Sequence, residues 1–158
     1  MKQAAFFCPN KYTESVDNCI FSFIFSPHLK LDYLRMKYTK DHEWITIDGD
    51  VATVGITNFA QGELGEIVYV DVDTVGESLE EGDVFGTVEA VKTTSDLFLP
   101  IAGEILEFNP EISEDDGDNP AIINEDAEGK GWIIKMKVSN TADIDNLMSK
   151  EDYEKLIG

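Results

Sequence analysis

From Met36 onward, short apolar runs with period-two character alternate with turn residues at the spacing of an all-β domain. Residues 43–47 alternate, Asp48-Gly49 marks a tight turn, and residues 51–56 return as a second strand. Further strands are predicted over 67–72, 84–88, 103–108 and 132–138, with another apolar run from Leu97 to Ile101. Thr57 or Asn58 is placed to cap a short helix over 59–64, which Gly65 would stop. Residues 109–119 are acidic and irregular. The tail over 141–147 and 149–157 reads as helical, with Ser149 and Asp152 spaced as a capping box. Many short strands with glycine-bearing turns predict a mostly β sandwich or flattened barrel, closed by a C-terminal helix.

The chain has 158 residues, enough for one domain with a proper core. Charge then divides it. Lys plus Arg is 12 against 32 Asp plus Glu, for a net charge of −20. Residues 1–35 hold four bases (Lys2, Lys11, Lys30, Arg35) against three acids (Glu14, Asp17, Asp32), a balance of +1. The remaining 123 residues therefore carry −21, and the composition changes near Met36. Such an acidic surface argues against nucleic-acid and membrane partners and suits a soluble monomer that meets basic patches on other proteins.

The first 35 residues contain an aromatic run over 19–25, far short of the roughly 20 residues that span a bilayer. It lacks the basic start and Ala-x-Ala site of a secretory signal, and one arginine among three acids does not make a mitochondrial transit peptide. The expected organisation is an extension over 1–35, upstream of a natural start at Met36, and a single domain over 36–158. Cys8 and Cys19 fall in the extension, without CxxC spacing or a nearby histidine pair, so neither a metal site nor a disulfide framework is indicated.

Catalytic material is scarce. No Gly-x-Ser-x-Gly and no phosphate-binding Gly-x-x-x-x-Gly-Lys occurs, and His42-Glu43 looks like a solvated strand entry. One residue does stand out. Between Asp41 and Gly129 there are 24 acids and a single base, Lys92. An apolar strand runs up to Lys92, Thr93-Thr94-Ser95-Asp96 follows, and a second apolar strand leaves. This presents one ammonium at a hairpin tip, where a modifying ligase could select it by geometry. Ser95 and Asp96 are suited to brace the turn, and Glu89 and Asp96 flank the lysine, so all three are candidates for ligase recognition.

Glu89-Ala90-Val91-Lys92 with Ser95-Asp96, then Pro100-Ile101-Ala102-Gly103-Glu104-Ile105, resembles the lipoyl-lysine motif of the glycine cleavage system H proteins. Tyr38-Thr39-Lys40-Asp41-His42-Glu43-Trp44, Val54-Gly55-Ile56-Thr57, Leu64-Gly65-Glu66-Ile67-Val68 and Gly129-Lys130-Gly131-Trp132 resemble further signatures of that family, in order, over roughly residues 37–157. Three stretches depart from it. Residues 1–35 have no counterpart, residues 109–120 are longer and more acidic than the usual connection, and Ala127-Glu128 stands where Pro-Tyr is expected.

The resemblance implies a lipoyl/biotinyl-type flattened β-barrel sandwich and a carrier that is not itself an enzyme. Lipoate would be joined as an amide to Lys92 by lipoate-attaching enzymes. The implied partners are glycine decarboxylase, aminomethyltransferase and dihydrolipoyl dehydrogenase. A loaded aminomethyl arm needs a dry cleft and a carboxylate, for which Glu43 is the candidate. With no leader recognised, the bacterial cytoplasm is expected, with mitochondria as the alternative. A biotin carrier would flank its lysine with methionines, and a 2-oxoacid dehydrogenase lipoyl domain would place Asp before it; neither fits Val91-Lys92-Thr93. A lipoate donor of the same family, or an unmodified acidic interaction module, remains as an alternative.

Overall fold

A computed structural model describes residues 36–158. The sequence features at Cys8, Cys19 and 19–25 lie outside the described residues. Within them, the first strands are β1 (Lys37–Tyr38), β2 (Glu43–Asp48) and β3 (Val51–Ile56). β2 and β3 form a hairpin in unbroken register from Glu43↔Ile56 to Asp48↔Val51. Two residues, Gly49 and Asp50, close it, and only Gly49 takes a positive φ, 66°. Glycine is favoured at that one position, since most side chains are strained there.

Helix α1 (Asn58–Leu64) follows, its start fixed by Thr57, whose hydroxyl accepts from the Ala60 N–H at 3.1 Å. Gly65 stops it with φ 86°. Next come β4 (Ile67–Asp71), β5 (Ser78–Leu79), β6 (Val84–Ala90), β7 (Thr94–Phe98) and β8 (Gly103–Phe108), then helix α2 (Ala121–Asp126) and β9 (Ile134–Val138). A 3-10 helix (Thr141–Asn146) and helix α3 (Lys150–Ile157) finish the chain. Ser149 caps α3 by accepting from the Asp152 N–H at 3.3 Å, while its own hydroxyl donates to the Asp152 carboxylate at 2.8 Å.

All strand pairs are antiparallel. One sheet has the order β1-β2-β3-β9-β8-β5 and the other the order β4-β6-β7. A single apolar cluster draws on both, including Ile45, Val54, Ile105 and Met136 from the larger sheet and Val70, Phe85, Val88 and Leu97 from the smaller. The expected mostly β sandwich is the observed architecture. A smaller cluster of Met36, Tyr38, Trp44 and Tyr153 seats the C-terminal helix. It explains why β2 starts with three buried residues, Glu43, Trp44 and Ile45, instead of alternating: at this end both faces of the strand are covered.

Four features differ from the sequence expectation. β1 and β5 are two-residue strands, too short to show a period. Helix α2 was not foreseen: it buries only Ile122 and Ile123, and its first residue follows Pro120, which offers no side-chain cap. β9 begins at Ile134, two positions later than predicted, because the Trp132 N–H bonds to the Gly129 carbonyl at 3.3 Å in a turn. Residues 141–146 wind as a 3-10 helix, entered by the Asn140 side chain accepting from the Ala142 N–H at 3.2 Å.

Candidate functional site

Lys92 sits at the tip of the β6–β7 hairpin. Ala90 N–H donates to the Thr93 carbonyl at 2.8 Å and Thr93 N–H to the Ala90 carbonyl at 3.3 Å, leaving Val91 and Lys92 as the two central residues of the turn. Both are exposed, Val91 by 67%. A third tether reaches the turn from outside: Val91 N–H donates to the Glu66 carbonyl at 3.0 Å. The next residue, Ile67, is gripped by Asn124 of α2, which accepts from its N–H at 2.9 Å and donates to its carbonyl at 3.0 Å. The lysine side chain thus leaves a turn whose backbone is held by three hydrogen bonds.

The expected brace by Ser95 and Asp96 is not how the turn closes. Both residues lie in β7, where Asp96 pairs with Thr87 and Ser95 with Val88, and the Ser95 hydroxyl donates to the Asp96 carbonyl at 3.4 Å. Backbone hydrogen bonds are sufficient for a two-residue turn, so the side chains are released for another use. Glu89 pairs with Thr94 one step below the turn and is exposed.

Beside the hairpin lies a cleft of about 140 Å³. Ile56, Ala60, Leu64, Val88 and Leu97 give it an apolar lining; Asp41, His42, Glu43, Glu63, Ser95 and Asp96 supply the polar groups. Helix α1 contributes one wall because Thr57 and Gly65 fix its two ends. A larger cleft of about 440 Å³ shares Asp41 and Glu43 but runs past Phe98, Leu99 and Pro100 towards Leu147 and Met148, at the end of β7 opposite the lysine. The smaller cleft is the one on the lysine side.

Glu43 is 3% exposed. It is not the solvated strand-entry acid its sequence neighbourhood suggests, since β7 covers it: Oε1 accepts from the Phe98 N–H at 3.3 Å. Oε2 accepts from the Thr39 hydroxyl. Burial pushes the carboxyl above its usual range, opposed by the hydrogen bonds from Thr39 and Phe98 and reinforced by the nearby charge of Asp41. The three salt bridges among the described residues all lie elsewhere. Among the described residues Glu43 is thus a buried carboxyl with no salt-bridge partner, at the border of a cleft next to an exposed lysine. A buried acid without an ion-pair partner is unfavourable for stability.

A rigid frame holds this loop. His42 takes a positive φ of 72°, and its Nδ1 lies 2.8 Å from the Tyr153 hydroxyl of α3. The same hydroxyl lies 2.8 Å from Thr57 Oγ1, and Tyr153 stacks on Tyr38 at 4.7 Å between ring centres. Thr39, Asn124 and Tyr153 were all missed from the sequence as contributors. The Tyr38-Thr39 signature was visible in it, but what Thr39 touches was not.

A family model described as "Glycine cleavage H-protein" matches residues 36–158. The chain belongs to the glycine cleavage H-protein family. It is similar to the glycine cleavage system H protein of Bacteroides fragilis, 57% identical over 123 residues, which cover 78% of this chain and 94% of that protein. The corresponding protein of Carboxydothermus hydrogenoformans is 48% identical over 122 residues, covering 77% of this chain and 91% of that one. A crystal structure of a glycine cleavage system H protein from Mycobacterium marinum matches with a TM-score of 0.69 at 36% identity, over 79% of this chain and 98% of that one.

Family membership agrees with the resemblance of the hairpin and its flanking signatures. The family is the lipoyl carrier component of the glycine cleavage system. Among the described residues no group of His, Cys, Asp and Glu could hold a metal ion, and no helix is long and apolar enough to cross a membrane.

Proposed function

We propose that this chain carries lipoate in amide linkage on Lys92 and acts as the shuttle of the glycine cleavage system, without catalysing a step itself. The observation that carries this reading is the pairing of an exposed lysine at a hydrogen-bonded hairpin tip with a small cleft bordered by the buried Glu43, which has no salt-bridge partner among the described residues. Attached there, lipoate would supply the sulfur chemistry on which glycine decarboxylase, aminomethyltransferase and dihydrolipoyl dehydrogenase act.

The chain's own residues fit the group. Ser95 and Asp96, on the cleft wall, stand three and four strand positions from Lys92, roughly 10–13 Å at ~3.3 Å per residue. That is within reach of an extended lysyl-lipoyl arm. Ile56, Ala60, Leu64 and Leu97 exclude water from the arm's apolar part. Glu43, with Asp96 and Asp41 near it, offers negative charge to an amine held in the cleft. Glu89 beside the turn, and Ser95 and Asp96 below it, are the residues a lipoate-attaching enzyme meets around Lys92. Cytoplasmic residence in a bacterium and action as a monomer belong to the same reading.

Lys92→Arg tests it. The variant should fold and keep its charge, yet take up no lipoate from a lipoate-attaching enzyme and support no glycine-dependent CO2 release in the reconstituted system. Wild-type levels of both would return the chain to the unmodified interaction-module reading.

A further inference from the structure

The loop before β2 holds Glu43 in a way that the carrier reading alone does not require. Thr39 touches Glu43 three times. Its backbone N–H donates to the Glu43 carbonyl at 2.9 Å, its hydroxyl oxygen accepts from the Glu43 N–H at 3.1 Å, and its hydroxyl proton goes to Oε2. The roles are fixed by inventory: a backbone N–H only donates, so the threonine oxygen receives that bond and keeps its single proton for the carboxylate. The chain is turned back for this by His42, with φ 72° and an N–H to the Thr39 carbonyl at 3.4 Å. The other carboxylate oxygen has the Phe98 N–H, at the longer distance of 3.3 Å.

We propose that Thr39 is a positioning residue: its hydroxyl fixes the Glu43 carboxylate at the cleft and supplies the donor that its anionic form needs. The surroundings make that donor consequential. On the same loop lie Lys40, Asp41 and His42; Glu63 faces the cleft from α1 and Asp96 from β7. Glu81 lines the larger cleft, and Tyr153 of α3 lies within electrostatic reach. Tyr153 is a neutral phenol; of the carboxylates around the loop, Asp41 is the one whose charge adds to burial in disfavouring a negative charge on Glu43. Hydrogen bonds from Thr39 and Phe98 oppose both that and the burial.

The proposal rests on the reading that Glu43 serves the loaded arm, and the test separates the two. Thr39→Val removes the hydroxyl at equal size, and Thr39→Ser keeps it; Thr39→Ala repeats the deletion should valine perturb the loop. The Glu43 carboxyl is titrated by carbon-detected NMR in the unlipoylated full chain, and the lifetime of the aminomethyl-loaded protein is followed against pH. Deletion should raise the Glu43 midpoint by about one pH unit, a tenfold change in its protonation equilibrium. The pH below which the loaded form becomes short-lived should move up with it, and serine should restore both. A Glu43 midpoint unmoved in the valine and alanine variants would overturn the proposal. A midpoint that moves, together with a Glu43→Ala lifetime equal to wild type, would instead overturn the role of Glu43 at the arm.

Discussion

At the scale of single residues, the burial of Glu43 works against the charged form of its carboxyl. Burial raises its carboxyl pKa in the folded state, so the fold binds the proton more tightly than the unfolded chain does. Stability from this group is therefore complete below the unfolded carboxyl value and is lost as pH rises through the folded one. Glu43→Gln, neutral throughout, should melt a few degrees above wild type at pH 7, and the advantage should shrink on acidification towards the unfolded carboxyl range near ~4.3. Thermal melts of both proteins across that range check this; an unchanged or lower melting temperature at pH 7 would mean the carboxylate is already well stabilised. Lys92 was legible in the sequence because charge isolation is a one-dimensional property, visible by counting acids and bases. The burial of Glu43 was not legible in the sequence, where its candidacy rests on family resemblance alone. Its burial arises from β7 and from the small cluster around Tyr38 and Tyr153, neither of which is near it in sequence. The expected bracing by Ser95 and Asp96 failed because the turn is short enough to close on its backbone.

At the scale of elements, the glycines separate geometry from chance. Gly62 lies inside α1 on its exposed side, and a Cβ added there would meet nothing within 4 Å. Gly62→Ala should stabilise the protein by roughly 0.5–1 kcal/mol by restricting the unfolded chain and favouring the helix. Gly103 opens β8, where a Cβ would come within 2.4 Å of the Lys137 carbonyl oxygen and of the Met136 terminal carbon. Gly103→Ala should therefore cost on the order of 3 kcal/mol, since backbone of β9 must give way. Denaturant midpoints for the pair decide it: a loss in Gly62→Ala, or no loss in Gly103→Ala, would contradict the reading of that site. Elements with a full local signal were found where expected, such as β3 and the Thr57-capped α1. Those with two residues, or with a single buried apolar pair as in α2, have no period to detect. The 3-10 winding of 141–146 turns on one asparagine side chain, which pattern alone does not separate from an α-helical start.

For the whole molecule, the pairing of strands was the part least visible in advance. β3 joins β9 with Val51 opposite Lys137, and β8 joins β9, so the large sheet is assembled from the two ends of the domain. Alternation tells which face of each strand is apolar, and does not say which strand lies next to which. Residues 36–158 form an acidic body with Lys92 at a hairpin tip and a small cleft beside it. The charge of −21 on residues 36–158 favours encounter with basic partner surfaces. The hairpin, cleft and buried carboxylate have a common purpose only if Lys92 bears the lipoyl arm. Intact mass with peptide mapping of the protein taken from its own host tests that directly. A single lipoyl amide, located on the peptide containing Lys92, is the predicted result. Lys92 found unmodified, in cells whose other lipoyl proteins are loaded, would contradict it.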